Sequence, residues 1–474
     1  MLLVTFDGLR RDMVNQETMP NLSRFLAEGS DFVNSRSIFP SETRVAISSL
    51  VTGCPPGAHG IVANQFMHPE VNDDRIFNTA RQEDLIAAGR VGQLLARPSL
   101  GARLAAAGRT LAVVSTATPG ATWMMHSDAT RLGGFVFSAD GPARSVTAEA
   151  AALVIDRLGP IPDAGVPESA RIDYATRVMI EHVWPRLRPD VAILWYCDPD
   201  KTAHRFGLLA AETAEAQRRT DAAFGRLLAW WREGGEDRPQ NIIVMSDHGQ
   251  ITGREEVSLS ARDHAGLAGK LVPGYVSSLY LDDPSVDNLK AAAAALMVEP
   301  WCGIVFTNGG DGVQGLAPGS FDLAAVHGNH QRAGHLVFTL AATPPDGRDR
   351  LGSCLFSGGI KPGGGIHGGL QCGELATVLG GSGPAFKRGV RSELRCWLPD
   401  IAPTILRILD IPTEGMVGRP LTEGLAADNT PPPSLELRRI TASAGNHSQL
   451  LEQWVRDGVA ITENGWSAKG MLQA

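Results

Sequence analysis

Unbroken apolar runs of about five residues recur along this chain: Leu2-Leu3-Val4-Thr5-Phe6, Leu111-Ala112-Val113-Val114-Ser115, Val191-Ala192-Ile193-Leu194-Trp195-Tyr196 and Asn241 to Met245. A run apolar at every position, rather than at alternate ones, is the pattern of a strand buried on both faces. Between the runs the period changes to that of a helix. Leu22, Phe25 and Leu26 follow Met19-Pro20, Tyr174 to Leu187 reads as a helix, and Ala210 to Arg232 is the clearest one, closed by Gly234-Gly235. Strands alternating with helices predict an α/β fold with a mostly parallel central sheet flanked by helices.

The stretch from Phe39 to Asn64, FPSETRVAISSLVTGCPPGAHGIVAN, sets a turn at Pro40-Ser41-Glu42 before a helical segment that begins at Thr43 and stops at Gly53. A helix start there presents unpaired N–H groups and a positive dipole end, which suits a phosphoryl group. Residues 65–109 read as irregular, with Asp73-Asp74-Arg75 and Pro98 as loop, and 116–170 are small and Gly/Ala-rich. The segment 253–345 reads as an insertion, helical around Asn288–Met297, before a strand returns at His335 to Leu340. Asp400 to Leu406 opens a last apolar helix. Pro431-Pro432-Pro433 marks a linker, and 425–474 is an extension of unread role.

At 474 residues the chain is long enough for one large α/β domain with insertions. Its net charge of −8 argues against a nucleic-acid-binding surface but leaves room for an anionic substrate, because bound cations reverse the sign locally. The six cysteines form no C-x-x-C pair and read as reduced thiols. The opening apolar run is too short for a signal peptide, and no stretch approaches the ~18 apolar residues of a membrane span. A cytoplasmic protein with no membrane association is the expectation.

Three of the strands run out into acidic residues: Asp7, Asp200 and Asp247. Ligands in open α/β sheets sit beyond the carboxyl ends of strands, and carboxylates converging there repel one another unless cations hold them. Two carry histidines at suggestive positions, Asp200-x-x-x-His204 and Asp247-His248. Asp and His without cysteine suit zinc, with manganese second.

These motifs resemble the alkaline phosphatase superfamily, and within it the type I phosphodiesterase/nucleotide pyrophosphatase family. The matching residues are FDGLR with Asp7, PSET with Thr43, HGIVAN with Asn64, DPDKTAH with Asp200 and His204, SDHG with Asp247 and His248, and GIHGG with His367. LPDIAPTILRILDIP, within 398–421, resembles that superfamily's end. The resemblance implies an alkaline phosphatase-like catalytic domain over 1–424, with a cap formed by insertions at about 65–109 and 253–345. It also implies two zinc sites: Asp7, Asp247 and His248 with Thr43 as fourth ligand, and Asp200, His204 and His367. Thr43 would be the nucleophile of a covalent phosphoenzyme. Asn64, 21 residues on, would stabilise phosphoryl charge with the backbone N–H at Thr43–Arg44.

Rival residues are weighed against these. Ser41 reads as a turn residue and Asp198 as a strand-end cap. His327, His330 and His335 fit less well than His367, and His59 and His264 read as structural. Arg44 stands where the nucleotide pyrophosphatases typically have an aromatic, which favours a second anionic group, and Lys201 is another candidate substrate contact. Cys54 lacks the arginine of a sulfatase signature, excluding that class. The expected activity is hydrolysis of a small phosphodiester or phosphonate. A phosphonoacetate hydrolase-like or phosphomonoesterase activity at the same site is the near alternative, with a phosphomutase third, and a non-catalytic metal- and anion-binding module represents another class. The resemblance also draws on phosphonoacetate hydrolase through His367-Gly368-Gly369.

Overall fold

The computed structural model describes residues 1–234, 238–259, 269–343, 350–428 and 430–468; His264 lies outside them. Its centre is an eight-stranded sheet, ordered Val390–Ser392, Ser30–Phe32, Leu379–Ser382, Ile242–Met245, Leu2–Phe6, Val191–Tyr196, Leu111–Ser115 and Phe135–Ser138. Leu379–Ser382 alone runs against the others, so the sheet is mostly parallel, as the apolar runs predict.

The period-two alternation of the strands divides their side chains between two cores. Leu3, Val113, Ile193 and Ile243 pack on one face with Val45, Leu50, Leu104 and Ile405. Leu2, Val4, Leu194 and Val244 pack on the other with Phe25, Ile172, Phe224 and Leu227. Helices Thr43–Thr52, Leu100–Ala106 and Ile401–Ile408 thus cover the first face, and Pro20–Glu28, Ser169–Val178 and Ala211–Glu233 the second. The segment read as an insertion builds a five-stranded sheet of its own, covered by helix Val286–Val298 around a third core.

The sequence reading departs from the structure in several places, and the segment 65–109, read as irregular, also holds helices Gln82–Val91 and Leu100–Ala106. Asp73-Asp74-Arg75 lies inside strand Asn72–Asn78, paired with Gln65–His68; its exposed, charged positions hide the strand period. Phe135–Ser138 is one of the sheet's two edge strands, set in a Gly/Ala-rich stretch. Leu379–Ser382 is half glycine because there is no room for more. A Cβ at Gly380 would lie 2.4 Å from Leu26 Cδ2, and one at Gly381 2.3 Å from Phe386 Cε1.

The last described residues form a three-stranded antiparallel sheet, Leu435–Ala444, His447–Arg456 and Val459–Ser467. It is tied to the rest of the chain by buried polar contacts. Gln449 exchanges two hydrogen bonds with the backbone of Val305, and Gln453 donates to Ala325 O. Arg456 forms a bidentate ion pair with Asp400, the two side chains being 2% and 0% exposed. Among the described residues no disulfide joins the cysteines, and no helix is long and apolar enough to cross a membrane.

Candidate active site

Asp7, Asp200 and Asp247 meet beyond the carboxyl ends of three adjacent parallel strands, Leu2–Phe6, Val191–Tyr196 and Ile242–Met245. Asp7 and Asp247 follow their strands within two residues. Asp200 opens helix Asp200–Phe206, whose one-turn spacing puts His204 on the same face. The backbone locks the three together: Asp200 N–H donates to Asp7 O at 3.1 Å, and Gly8 N–H to Asp247 Oδ1 at 3.1 Å.

Three histidines complete the cluster, and each donates its Nδ1–H to a main-chain carbonyl, which can only accept. His248 donates to Gly249 O at 3.0 Å, His204 to Gly365 O at 2.7 Å and His367 to Ser41 O at 2.7 Å. That commits each Nδ1 to the main chain and turns every Nε2 towards the carboxylates. His248 Nε2 lies 3.3 Å from Asp247 Oδ2 and 3.6 Å from Asp7 Oδ1; His204 Nε2 lies 3.3 Å from Asp200 Oδ2, and His367 Nε2 3.7 Å from Asp200 Oδ1.

Burial, reinforced by Asp247 and Asp200, raises the Asp7 carboxyl well above its ordinary range; burial also raises Asp247. For Asp200 burial acts the same way but is outweighed by His204, His367 and His248, which hold it low. Such a cluster calls for positive charge, and the donor set fits divalent cations. Asp7 Oδ1 and Asp247 Oδ2 are buried without a hydrogen-bond partner. One ligand atom each from Asp200, His204 and His367 lie within 4.8 Å of one another, as do those of Asp7, Asp200 and His248. Asp200 therefore reaches both groups, where the motifs had assigned it to one.

Thr43 is the first residue of helix Thr43–Thr52, and its Oγ1 is 3.2 Å from His248 Nε2. The Arg44 N–H donates to Asn64 Oδ1 at 3.2 Å. Since a backbone N–H needs an acceptor, this orients the Asn64 amide and occupies one N–H that the motifs had assigned to phosphoryl oxygens. Thr43, Asn64, Arg44 and Lys201 line one cleft of roughly 630 Å³ together with Asp7, Asp200, His204 and His367.

The rival residues have other partners. Ser41 Oγ donates to Gly369 O and accepts from Gly368 N–H, so it clamps the His367 loop. Asp198 accepts from Glu168 N–H and from Thr202. His327 bonds Ala460 O, while His330 and His335 accept the N–H groups of Arg332 and Leu281. His59 pairs with Ser49 Oγ and accepts Ile61 N–H. Lys201 Nζ is 2.7 Å from Glu168 Oε2.

Sequence reasoning missed the groups that hold the site residues. Gln250 Nε2 donates to Asp200 Oδ1 at 2.5 Å, Trp195 Nε1 to Asp7 Oδ2 at 2.9 Å, and Asn64 N–H to the Glu42 carboxylate. Glu42 lies within PSET and Gln250 directly follows SDHG, which was the only signal available.

Residues 1–285 match the family model of the type I phosphodiesterase / nucleotide pyrophosphatases. Ectonucleotide pyrophosphatase/phosphodiesterase family member 1 of Rattus norvegicus is 23% identical over 258 residues, 53% of this chain and 24% of its own. The match thus spans about a quarter of that relative's length. Bis(5'-adenosyl)-triphosphatase enpp4 of Xenopus laevis is 40% identical over 65 residues, 14% of each chain. Murine ectonucleotide pyrophosphatase / phosphodiesterase 5 superposes with a TM-score of 0.64 at 17% identity, over 90% of this chain and 100% of its own. An inactive form of the murine protein in complex with AMP gives 0.63. The likeness to these structures establishes an alkaline phosphatase-like fold.

Proposed function

The chain belongs to the type I phosphodiesterase/nucleotide pyrophosphatase family, and from that premise we propose that it is a two-metal hydrolase of phosphodiester or phosphonate substrates with Thr43 as nucleophile. The observation that carries this reading is the placement of Thr43 Oγ1, at a helix start and 3.2 Å from His248 Nε2, beside two sets of convergent metal-ligand atoms. Asp7, Asp247, His248 and Thr43 would hold one ion and Asp200, His204 and His367 the other, zinc first and manganese second. When bound, two such ions supply positive charge at the attacking and leaving oxygens.

The chain's own residues do the rest. Thr43 Oγ1 gives up its proton to solvent and attacks phosphorus; the new P–O bond forms as the bond to the leaving group breaks, P–O in a phosphodiester or P–C in a phosphonate, and the leaving group takes a proton from water, giving a phosphothreonine. Water then attacks phosphorus, the bond to Thr43 breaks and its hydroxyl is restored. Asn64, oriented by the Arg44 N–H, offers its Nδ2 hydrogens to the phosphoryl oxygens. The helix beginning at Thr43 adds its dipole. The AMP complex of a structural neighbour makes nucleotide esters one substrate class to try.

The test is hydrolysis of bis-p-nitrophenyl phosphate, p-nitrophenyl phosphate and phosphonoacetate, with and without zinc, by wild type and Thr43→Ala. Zinc-dependent diester cleavage that disappears in Thr43→Ala is expected. Cleavage unaffected by Thr43→Ala would overturn the nucleophile assignment, and preference for phosphonoacetate would select the phosphonate reading.

A further inference from the structure

We propose that Arg44 binds a second anionic group of the substrate, carboxylate or phosphoryl, attached to the phosphoryl group that Thr43 attacks; this rests on the hydrolase reading above. Three cationic side chains outside the histidine cluster line the cleft: Arg44, Arg171 and Lys201. Two are neutralised within the protein. Lys201 Nζ lies 2.7 Å from Glu168, and Arg171 Nη1 lies 2.7 Å from Asp140 and 3.4 Å from Glu168.

Arg44 is not. Its Nε donates to Thr79 Oγ1 at 3.2 Å, and among the described residues neither terminal nitrogen has a hydrogen-bond acceptor or a carboxylate within ion-pairing distance. The carboxylate nearest in sequence, Glu42, accepts the Asn64 N–H instead. Thr79 Oγ1 in turn donates to Asn64 O at 2.7 Å, so the guanidinium is tethered to the Asn64 loop rather than swinging free.

Arg44 is half-buried on the cleft wall, and a partly desolvated guanidinium with an open fork is stabilised by a ligand that completes it. A planar guanidinium fork suits bidentate binding of a carboxylate or phosphoryl group. The scissile phosphoryl already has Thr43, Asn64 and the metal-ligand cluster. The two remaining nitrogens on the Asn64 side therefore suit an anion one bond or two further along the substrate.

Binding should be measured by calorimetry on zinc-loaded protein in the Thr43→Ala background, where nothing turns over. The probes are phosphonoacetate (carboxylate arm), methylenediphosphonate (phosphoryl arm) and ethylphosphonate, which lacks the second anion. At least one doubly anionic probe should bind about tenfold or more tightly than ethylphosphonate, as one charge-assisted bidentate contact predicts. Arg44→Ala should erase that preference and Arg44→Lys should restore only part of it; which arm is preferred identifies the anion. Absence of any preference overturns the proposal. So does equal weakening of all three probes by Arg44→Ala, which would place Arg44 on the scissile phosphoryl. Failure of the hydrolase reading shows up separately, as lack of turnover by the Thr43 enzyme.

Discussion

Trp195 and Asp7 are joined across adjacent strands: the buried indole N–H donates to Asp7 Oδ2 at 2.9 Å, leaving Oδ1 bare. Thr5 is the register partner of Trp195, so the indole reaches two residues along its neighbour to orient this carboxylate. Removing the donor while keeping an aromatic ring, Trp195→Phe, should weaken zinc binding about tenfold or more, in the range found for groups that orient metal ligands. Titration against a competing chelator measures it. Unchanged affinity in a folded variant would mean Asp7 needs no such support.

Gly8 follows Asp7 with φ +67°, and a Cβ there would lie 2.7 Å from Asp200 Cβ. Gly8→Ala combines a left-handed backbone with a collision against the first residue of helix Asp200–Phe206. A loss of about 2–4 kcal/mol is expected in urea unfolding, with reduced metal uptake. Full stability in Gly8→Ala would show that the start of helix Asp200–Phe206 yields freely.

His126 is packed between two glycines, where a Cβ at Gly101 would meet its Nδ1 at 2.4 Å and one at Gly134 its Nε2 at 2.2 Å. Burial lowers its pKa from the ordinary 6.5 to about 4, against a smaller opposing pull from Asp128. Between these values the unfolded chain binds the proton and the folded chain does not. This contribution is therefore fully present above pH 6.5 and is lost as pH falls towards 4, on the order of 3 kcal/mol. Comparing urea midpoints of wild type and His126→Gln across pH 4–7.5 checks it. Parallel curves would contradict it.

The Arg456–Asp400 pair fastens the last sheet to the helix Ile401–Ile408 region, where Asp400 also accepts the N–H groups of Trp397 and Arg419. Arg456→Ala leaves that carboxylate buried and short of its counter-ion, so a loss of about 3–5 kcal/mol is expected by calorimetry. A change under 1 kcal/mol would mean the sheet's attachment does not depend on this pair.

The central sheet was legible because strands buried on both faces have no polar positions to interrupt them, as at Val191–Tyr196. The carboxylates were legible for the same reason: Asp7 and Asp247 interrupt apolar runs. Leu379–Ser382 was not, since glycines chosen for close approach carry no hydrophobic signal. Nor was the role of Glu42, Ser41 or Gln250, whose partners lie 22 to 328 residues away and are set only by the tertiary fold. The final sheet alternates polar and apolar positions without an unbroken run, so it read as an unassigned extension.

Because His204, His248 and His367 are each held through Nδ1 by a main-chain oxygen, no neighbouring side chain decides which nitrogen is available. Substitutions on the cleft wall, such as those at Arg44 or Lys201, can then reshape what the cleft admits while the imidazoles keep their orientation. The main chain therefore sets how the three imidazoles are turned, whatever side chains line the cleft beside them.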